Sequence, residues 1–337
     1  MSFESRSLQS AIRRECADLV GPEFLRSLHV KDARTFVVAV THIWLSIAAA
    51  FALAIAALSV SAWLVVALWL PLVFFIGTRI NALNVQVHEG SHGILAENRV
   101  WNDQLCNWLA GYPTLYDVDQ YSAVHVKHHN LLSEPGDPEM PYYELPSTRW
   151  GVVRGFLADF FWITFLRRLS TIGEALAGDS KGRVGTFVRH FAGRLVCMAG
   201  MIGLLTWAVG LPEALVFYFL FWIVPLLSVF PMMIRLRQVT EHHAPLADGM
   251  AGPIFVARTS STRPLEHYLL GAQMEFHFEH HLFPSVPYEK LRVLHEKLHE
   301  LSFFESSTTA RREHSLSPGY LAYWRRALDG PALAPGP

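Results

Sequence analysis

Three histidines fall within five residues of the stretch Gly271–Pro284, GAQMEFHFEHHLFP: His277, His280 and His281. If the stretch is helical, positions i, i+3 and i+4 share one face, and the three imidazoles converge on one point. The same spacing occurs far upstream in His125–Val126–Lys127–His128–His129. A related pair, His88 and His92 in HEGSH, comes earlier, and a fourth cluster, Glu241–His242–His243, lies between. Imidazole is the commonest metal-ligating side chain. Clusters so far apart make sense if the fold gathers them on one metal centre.

His88, His92, His125, His128, His129, His242, His277, His280 and His281 make nine candidate ligands. A single zinc uses three or four protein ligands, so nine imidazoles suit two ions at four or five each. Imidazole accepts iron, copper, zinc and nickel alike, and the ligand type does not choose among them. His242 and His243 are adjacent and would point about 100° apart on a helix, so one of them is expected to ligate. His242 is preferred because Gln238 lies one turn before it on the same face, where its amide oxygen can bind a metal or a metal-bound water. His243 is the alternative. Carboxylates crowd the clusters: Glu89, Asp137, Glu139, Glu241, Glu275 and Glu279. Metal-bound imidazoles usually donate their free N–H to such a group, and Glu89, Asp137, Glu241 and Glu279 are the expected partners. His29, His42, His190, His267, His295, His299 and His314 show no pattern and read as surface or core residues.

The scaffold follows from the distribution of charge. The chain has 337 residues, a net charge of −1, and is 51% hydrophobic and 17% charged. No Asp, Glu, Lys or Arg occurs between Thr35 and Thr78, and Glu213 is the only one between Leu195 and Ile234. Each window is about twice the roughly 20 apolar residues that span a bilayer. Each therefore reads as a hairpin of two membrane helices, at about 36–58 and 62–80, then 191–209 and 214–234. Pro71, Pro225 and Pro231 lie inside these spans. The second span is expected to run on out of the membrane into His88 and His92. Neither hairpin turn carries a Lys or Arg, so all 28 basic residues lie on the other side, which the positive-inside rule makes cytoplasmic.

The fold expected is an all-α integral membrane protein: four transmembrane helices in two hairpins, with a cytoplasmic helical domain holding a histidine-rich di-metal site. Residues 1–34 read as an amphipathic or interfacial segment, or a loose tail; 35–300 as the membrane domain; 301–337 as a C-terminal tail whose ALAPGP end is expected to be disordered. Trp150–Leu169 is apolar but carries Arg154, Asp159, Arg167 and Arg168, and is expected to lie in the interface with Trp150 and Trp162 as headgroup anchors. Gly136–Asp137–Pro138–Glu139 is a turn signal. Cys16, Cys106 and Cys197 lack ligand spacing and are expected to pack. The N-terminus does not read as a secretory signal.

HEGSH, HVKHH and HFEHH, split around two hydrophobic hairpins, resemble the three histidine boxes of the membrane fatty acid desaturase and hydroxylase superfamily, and HFEHHLFPSVPYEKL is especially similar to bacterial acyl-lipid desaturases. The resemblance covers about residues 36 to 300 and implies a non-haem di-iron enzyme that uses dioxygen and two electrons. It carries the nine histidines over as metal ligands. In acyl-CoA desaturases an Asn stands four residues before the fourth cluster's histidine; here it is Gln238. Asp137 lies in a stretch similar to the DPD-like segment that often follows the second box. No His-Pro-Gly-Gly motif of a fused haem domain is present, so the expected electron donor is a separate protein, such as a ferredoxin with its reductase. The implied substrate is the acyl chain of a lipid, entering from the membrane, with no nucleic acid involved. Loss of two hydrogens gives an alkene; oxygen insertion, as in lipid or carotenoid hydroxylases, gives an alcohol.

Two other classes compete. HEGSH also fits HExxH, in which two histidines bind zinc and the Glu is a general base. An intramembrane protease of that kind leaves both HxxHH boxes unexplained and sits beyond its span. A metal transporter would place ionisable residues within its spans, where this chain has almost none.

Overall fold

The computed structural model describes residues 2–132, 134–146, 148–166, 183–243, 256–271, 274–307, 310 and 315–329. Helices α1 (Ser2–Val20) and α2 (Pro22–Leu28) precede two long ones, α3 (Ala33–Val60) and α4 (Ala62–Ser91). A middle group follows: α5 (Arg99–Cys106), α6 (Val118–Leu131), α7 (Met140–Tyr143) and α8 (Arg149–Phe160). Then come α9 (Arg183–Val209) and α10 (Leu211–His242). The C-terminal part holds α11 (His277–Leu282), α12 (Tyr288–Glu300), α13 (Phe303–Ser306) and α14 (Tyr320–Asp329). Two short strands, β1 (Thr259–Ser260) and β2 (Leu316–Ser317), pair in parallel. They are a small departure from the all-α expectation.

Four helices are long and apolar enough to cross a membrane: α3, α4, Val188–Val209 of α9, and α10. Their composition explains their surface, for Trp63, Leu204 and Trp207 stand almost fully exposed. Apolar surface of that kind is suited to lipid. Ser61 joins α3 to α4 by itself. It is extended, ends α3 by donating its N–H to Ala57, and starts α4 by accepting the Leu64 N–H on its hydroxyl at 3.2 Å. The helix α4 continues eleven residues past the expected end of its span, so that HEGSH begins on the same rigid rod. Gly90 of HEGSH lets α5 close on it, for a Cβ there would meet Cys106 Sγ at 2.5 Å. Asn102 of α5 then donates to the Gly90 carbonyl at 2.8 Å and fixes the end of the helix.

Helix α10 is irregular where its prolines require it. Pro225 has no N–H to give the preceding turn, and Phe219–Ile223 takes up a π turn just before it. A second break falls at Ser228, three residues before Pro231. The Trp162 indole N–H donates to the Ser228 hydroxyl at 2.7 Å. Trp162 thus plugs the helix break, while Trp150 is exposed. Residues 167–169 of the same segment, and 330–337 at the C-terminal end, lie outside the described residues.

Two cores result. One lies between the long helices, where Trp44 and Trp222 stack at 5.5 Å. The other surrounds α11: Phe278 and Leu282 pack on Leu291, Leu294 and Leu298 of α12 and on Ile12 and Cys16 of α1. Each of these large side chains contributes about 1.5–3 kcal/mol by leaving water. The N-terminal segment is thus docked on the third histidine box and is not a loose tail. Gln9 donates to the His281 carbonyl at 2.8 Å and Arg13 to that of Leu282, capping the third histidine box. Cys16 and Cys106 are buried free thiols, and Cys197 is partly buried.

Candidate metal centre

Four helices deliver the nine histidines. His88 and His92 come at the end of α4, His125, His128 and His129 from α6, His242 from the end of α10, and His277, His280 and His281 from α11. They converge in two groups, in each of which one nitrogen per ring lies within 4.8 Å of the others. His88, His92, His125, His129 and His280 form the first, and His128, His242, His277 and His281 the second. Each HxxHH box therefore serves both groups. The rings stay close throughout: His129 and His281 stack at 4.2 Å, and His88 meets His280 at 4.4 Å.

The Nε2 atoms point inwards. In the second group His277 and His242 approach to 2.8 Å, His281 and His277 to 3.2 Å, and His128 and His242 to 3.3 Å. In the first, His129 lies 2.9 Å from His125 and 3.2 Å from His280, while His88 Nε2 and His92 Nε2 are buried with no partner among the described residues.

Outward Nδ1 contacts decide what those inner atoms are. His242 Nδ1 donates to the Val256 carbonyl at 2.8 Å and His128 Nδ1 to Asp137 at 3.0 Å. In the neutral rings, Nε2 of each is then a lone pair. Two lone pairs facing one another across 3.3 Å repel, unless a cation lies between them. The residues fit bound metal for that reason and because ligand nitrogens must be deprotonated. Burial holds His92 down to about 4, Arg99 adding to the effect, and burial likewise lowers His125, His129, His277, His280 and His281, neighbouring histidines adding. His128 is the exception. Burial opposes its charge too, but Glu139 and Asp137 outweigh that and raise its pKa.

The carboxylates divide differently from the sequence expectation. Asp137 serves His128 and accepts from the Tyr143 hydroxyl at 2.6 Å. Glu89 lies 3.3 Å from His88 Nδ1 and accepts the Tyr288 N–H at 3.1 Å. Its contacts are to the Nδ1 side of His88 and to the Tyr288 N–H, and it is not a member of the first group. Glu241 is held by Arg237 and by the Tyr320 hydroxyl, each at 3.1 Å, and lies 3.7 Å from His277 Nε2. Glu279 does not serve a box histidine: it accepts from Thr259 and from His295 Nδ1, the latter at 2.6 Å. Glu139 takes the place it was expected to fill, at 3.3 Å from His125 Nδ1, and also accepts from Gln238 Nε2. The Gln238 Oε1 is buried without a partner among the described residues.

His243 belongs to neither group. Of the unpatterned histidines, His190 is buried between Tyr112 and Asp119, His295 holds Glu279, and His314 lies outside the described residues. The roles of Val256, Tyr143 and Tyr320 had no signal in the sequence. A carbonyl and two tyrosines carry no pattern, and their partners lie up to 79 residues away. Arg237 had one, lying four residues before Glu241 at helical spacing.

The profile of the Fatty acid desaturase family matches residues 63–313, from the second long helix through all four histidine clusters. The chain belongs to the fatty acid desaturase family. A curated relative, dihydrorhizobitoxine desaturase of Bradyrhizobium elkanii, is 27% identical over 249 residues, covering 69% of this chain and 67% of its own. As a member of the desaturase family the chain is an oxidoreductase, and its four apolar helices and histidine groups fit a membrane protein with a metal site.

Proposed function

We propose that this chain is a membrane-bound non-haem di-iron oxygenase that desaturates the acyl chain of a lipid, using dioxygen and two electrons from a separate protein such as a ferredoxin with its reductase. The observation that carries this reading is the division of nine inward-facing imidazoles into groups of five and four. His88, His92, His125, His129 and His280 would hold one iron, and His128, His242, His277 and His281 the other. When bound, the pair supplies dioxygen activation strong enough to remove hydrogen from an unactivated methylene. The chain's own part is to position and to seal. Asp137, Glu139 and the Val256 carbonyl fix ring orientation by hydrogen bonds to Nδ1. Burial of seven of the nine rings, and partial burial of His92 and His129, limits water at the site.

The long helices are read as two membrane hairpins with the metal groups on the cytoplasmic side, on the distribution of Lys and Arg. A product alkene is favoured over an alcohol because the curated relative is named a desaturase. That name supports a second reading, in which the substrate is dihydrorhizobitoxine.

The test is elemental analysis of protein purified in mild detergent, followed by lipid profiling of expressing cells. Two irons per chain and new alkenes are expected. One zinc and no iron would overturn the di-iron reading. Alcohols without alkenes would make the chain a hydroxylase, and product only when dihydrorhizobitoxine is supplied would favour the second reading.

A further inference from the structure

A cleft of about 700 Å³ opens on the far side of the third histidine box, between the paired strands β1 and β2 and helices α12 and α14. Nothing in the metal centre uses it. Its wall carries Arg292 of α12 and Arg326 of α14, together with His295 and His299. Among the described residues neither arginine has an ion-pair partner; Arg292 only lies over the Phe276 ring at 5.1 Å. Hydroxyls fill in between. Ser260 is 5% exposed, and its Oγ has no hydrogen-bond partner among the described residues. The one carboxylate of the lining among the described residues is Glu275, whose Oε1 is engaged by His267 and Thr262 while its Oε2 is buried with no hydrogen-bond partner among those residues.

We infer that this cleft binds a phosphate group carried on a larger molecule. Two guanidiniums offer five N–H donors each, and imidazoles and hydroxyls add more. A carboxylate, with about four lone-pair sites, leaves most of these donors unused. A phosphate ester matches guanidinium geometry bidentately and takes donors from several directions. The cleft is also several times larger than a phosphate, leaving room for the group that bears it. Phe276, Leu316 and Pro318 give that group an apolar wall. The site adjoins the metal centre through short links. His295 and Thr259 line the cleft and both hydrogen bond to Glu279, the neighbour of His280. The phosphate is that of a lipid headgroup or of a soluble phosphate compound, and the chemistry of the cleft is the same for both.

The test is titration calorimetry on the metal-loaded protein in a neutral detergent. The probes are inorganic pyrophosphate, dihexanoyl phosphatidylglycerol below its micelle concentration, and acetate. Pyrophosphate is expected to bind, at least tenfold more weakly in Arg292→Gln/Arg326→Gln, and unchanged in Arg325→Gln, whose exposed side chain lies outside the cleft. Arginine-dependent binding of phosphatidylglycerol without pyrophosphate would assign the headgroup as the source; the converse would assign a soluble phosphate. No binding of either, binding indifferent to the two arginines, or acetate binding as tightly as pyrophosphate would each overturn the inference. Metal content, counted on the same samples, is expected to match the parent protein in every variant. A failure of the cleft is thereby distinguished from a failure of the di-iron reading.

Discussion

His242 Nε2 lies 2.8 Å from His277 Nε2, although 35 residues separate them and His242 closes an apolar helix while His277 opens a short polar one. His243, the next residue, joins neither histidine group. One turn of α10 thus discriminates between adjacent imidazoles. His242→Ala is expected to lose about one metal ion per chain, and His243→Ala to keep the full complement. Metal analysis of the two purified variants decides it, and the reverse order would exchange their roles.

The pairing of neighbours on one helix face was legible in the sequence, because i, i+3 and i+4 spacing follows from helix geometry alone. So were the long apolar helices, since charge is nearly absent from the windows 35–78 and 195–234. What the sequence hid is the choice of partner across the fold. Glu279 stands in the middle of a histidine box yet faces His295 and Thr259, and Glu139, beyond the turn at Gly136, faces His125 instead. Helical spacing says which residues share a face, and the tertiary packing of α1, α11 and α12 says what that face meets. The docking of α1 through Gln9 and Arg13 was hidden for the same reason.

Asp137 meets His128 Nδ1 with both carboxylate oxygens at 3.0 Å, and Tyr143 holds it from behind. Asp137→Asn keeps the shape but presents an amide, which need not accept from the ring. Loss of such a partner costs about 10–100-fold in metal affinity. The expected result is selective loss of the second metal in competition with a chelator, with the first retained. Equal loss of both would show that the two groups bind as one unit.

Metal-free protein is expected to lose stability in acid over a definite window. Unfolded histidine titrates near 6.5, whereas burial holds folded His92 to about 4 and lowers His125, His129, His277, His280 and His281 as well. The unfolded chain then binds more protons below 6.5. Stability is full above that value and falls with pH towards about 4. His128 runs the other way, contributing most below 6.5 and losing its contribution as pH rises through its raised folded value. One group opposes several, so the net loss lies on the acid side. Thermal unfolding of chelator-treated protein from pH 7.5 to 4.5 measures it, and a midpoint that stays level would contradict the assignment of neutral buried rings.

Gly77 of α4 lies against Val229, just past the break in α10. A Cβ on residue 77 would come within 2.5 Å of both Val229 Cβ and Cγ1. This close crossing sets the spacing of the two helices that carry His88 and His242. Gly77→Ala is expected to destabilise by about 1–3 kcal/mol, as overpacking of a tight core does. Much of that loss should return in Gly77→Ala/Val229→Gly, because the second change removes both Cβ and Cγ1, the atoms that the first one strikes, although a glycine in the helix carries a cost of its own. The coupling is read from thermal unfolding of the two single variants and the double variant in detergent. Additive effects would mean that the helices separate freely at this point, and that the distance between the metal-bearing ends is set elsewhere.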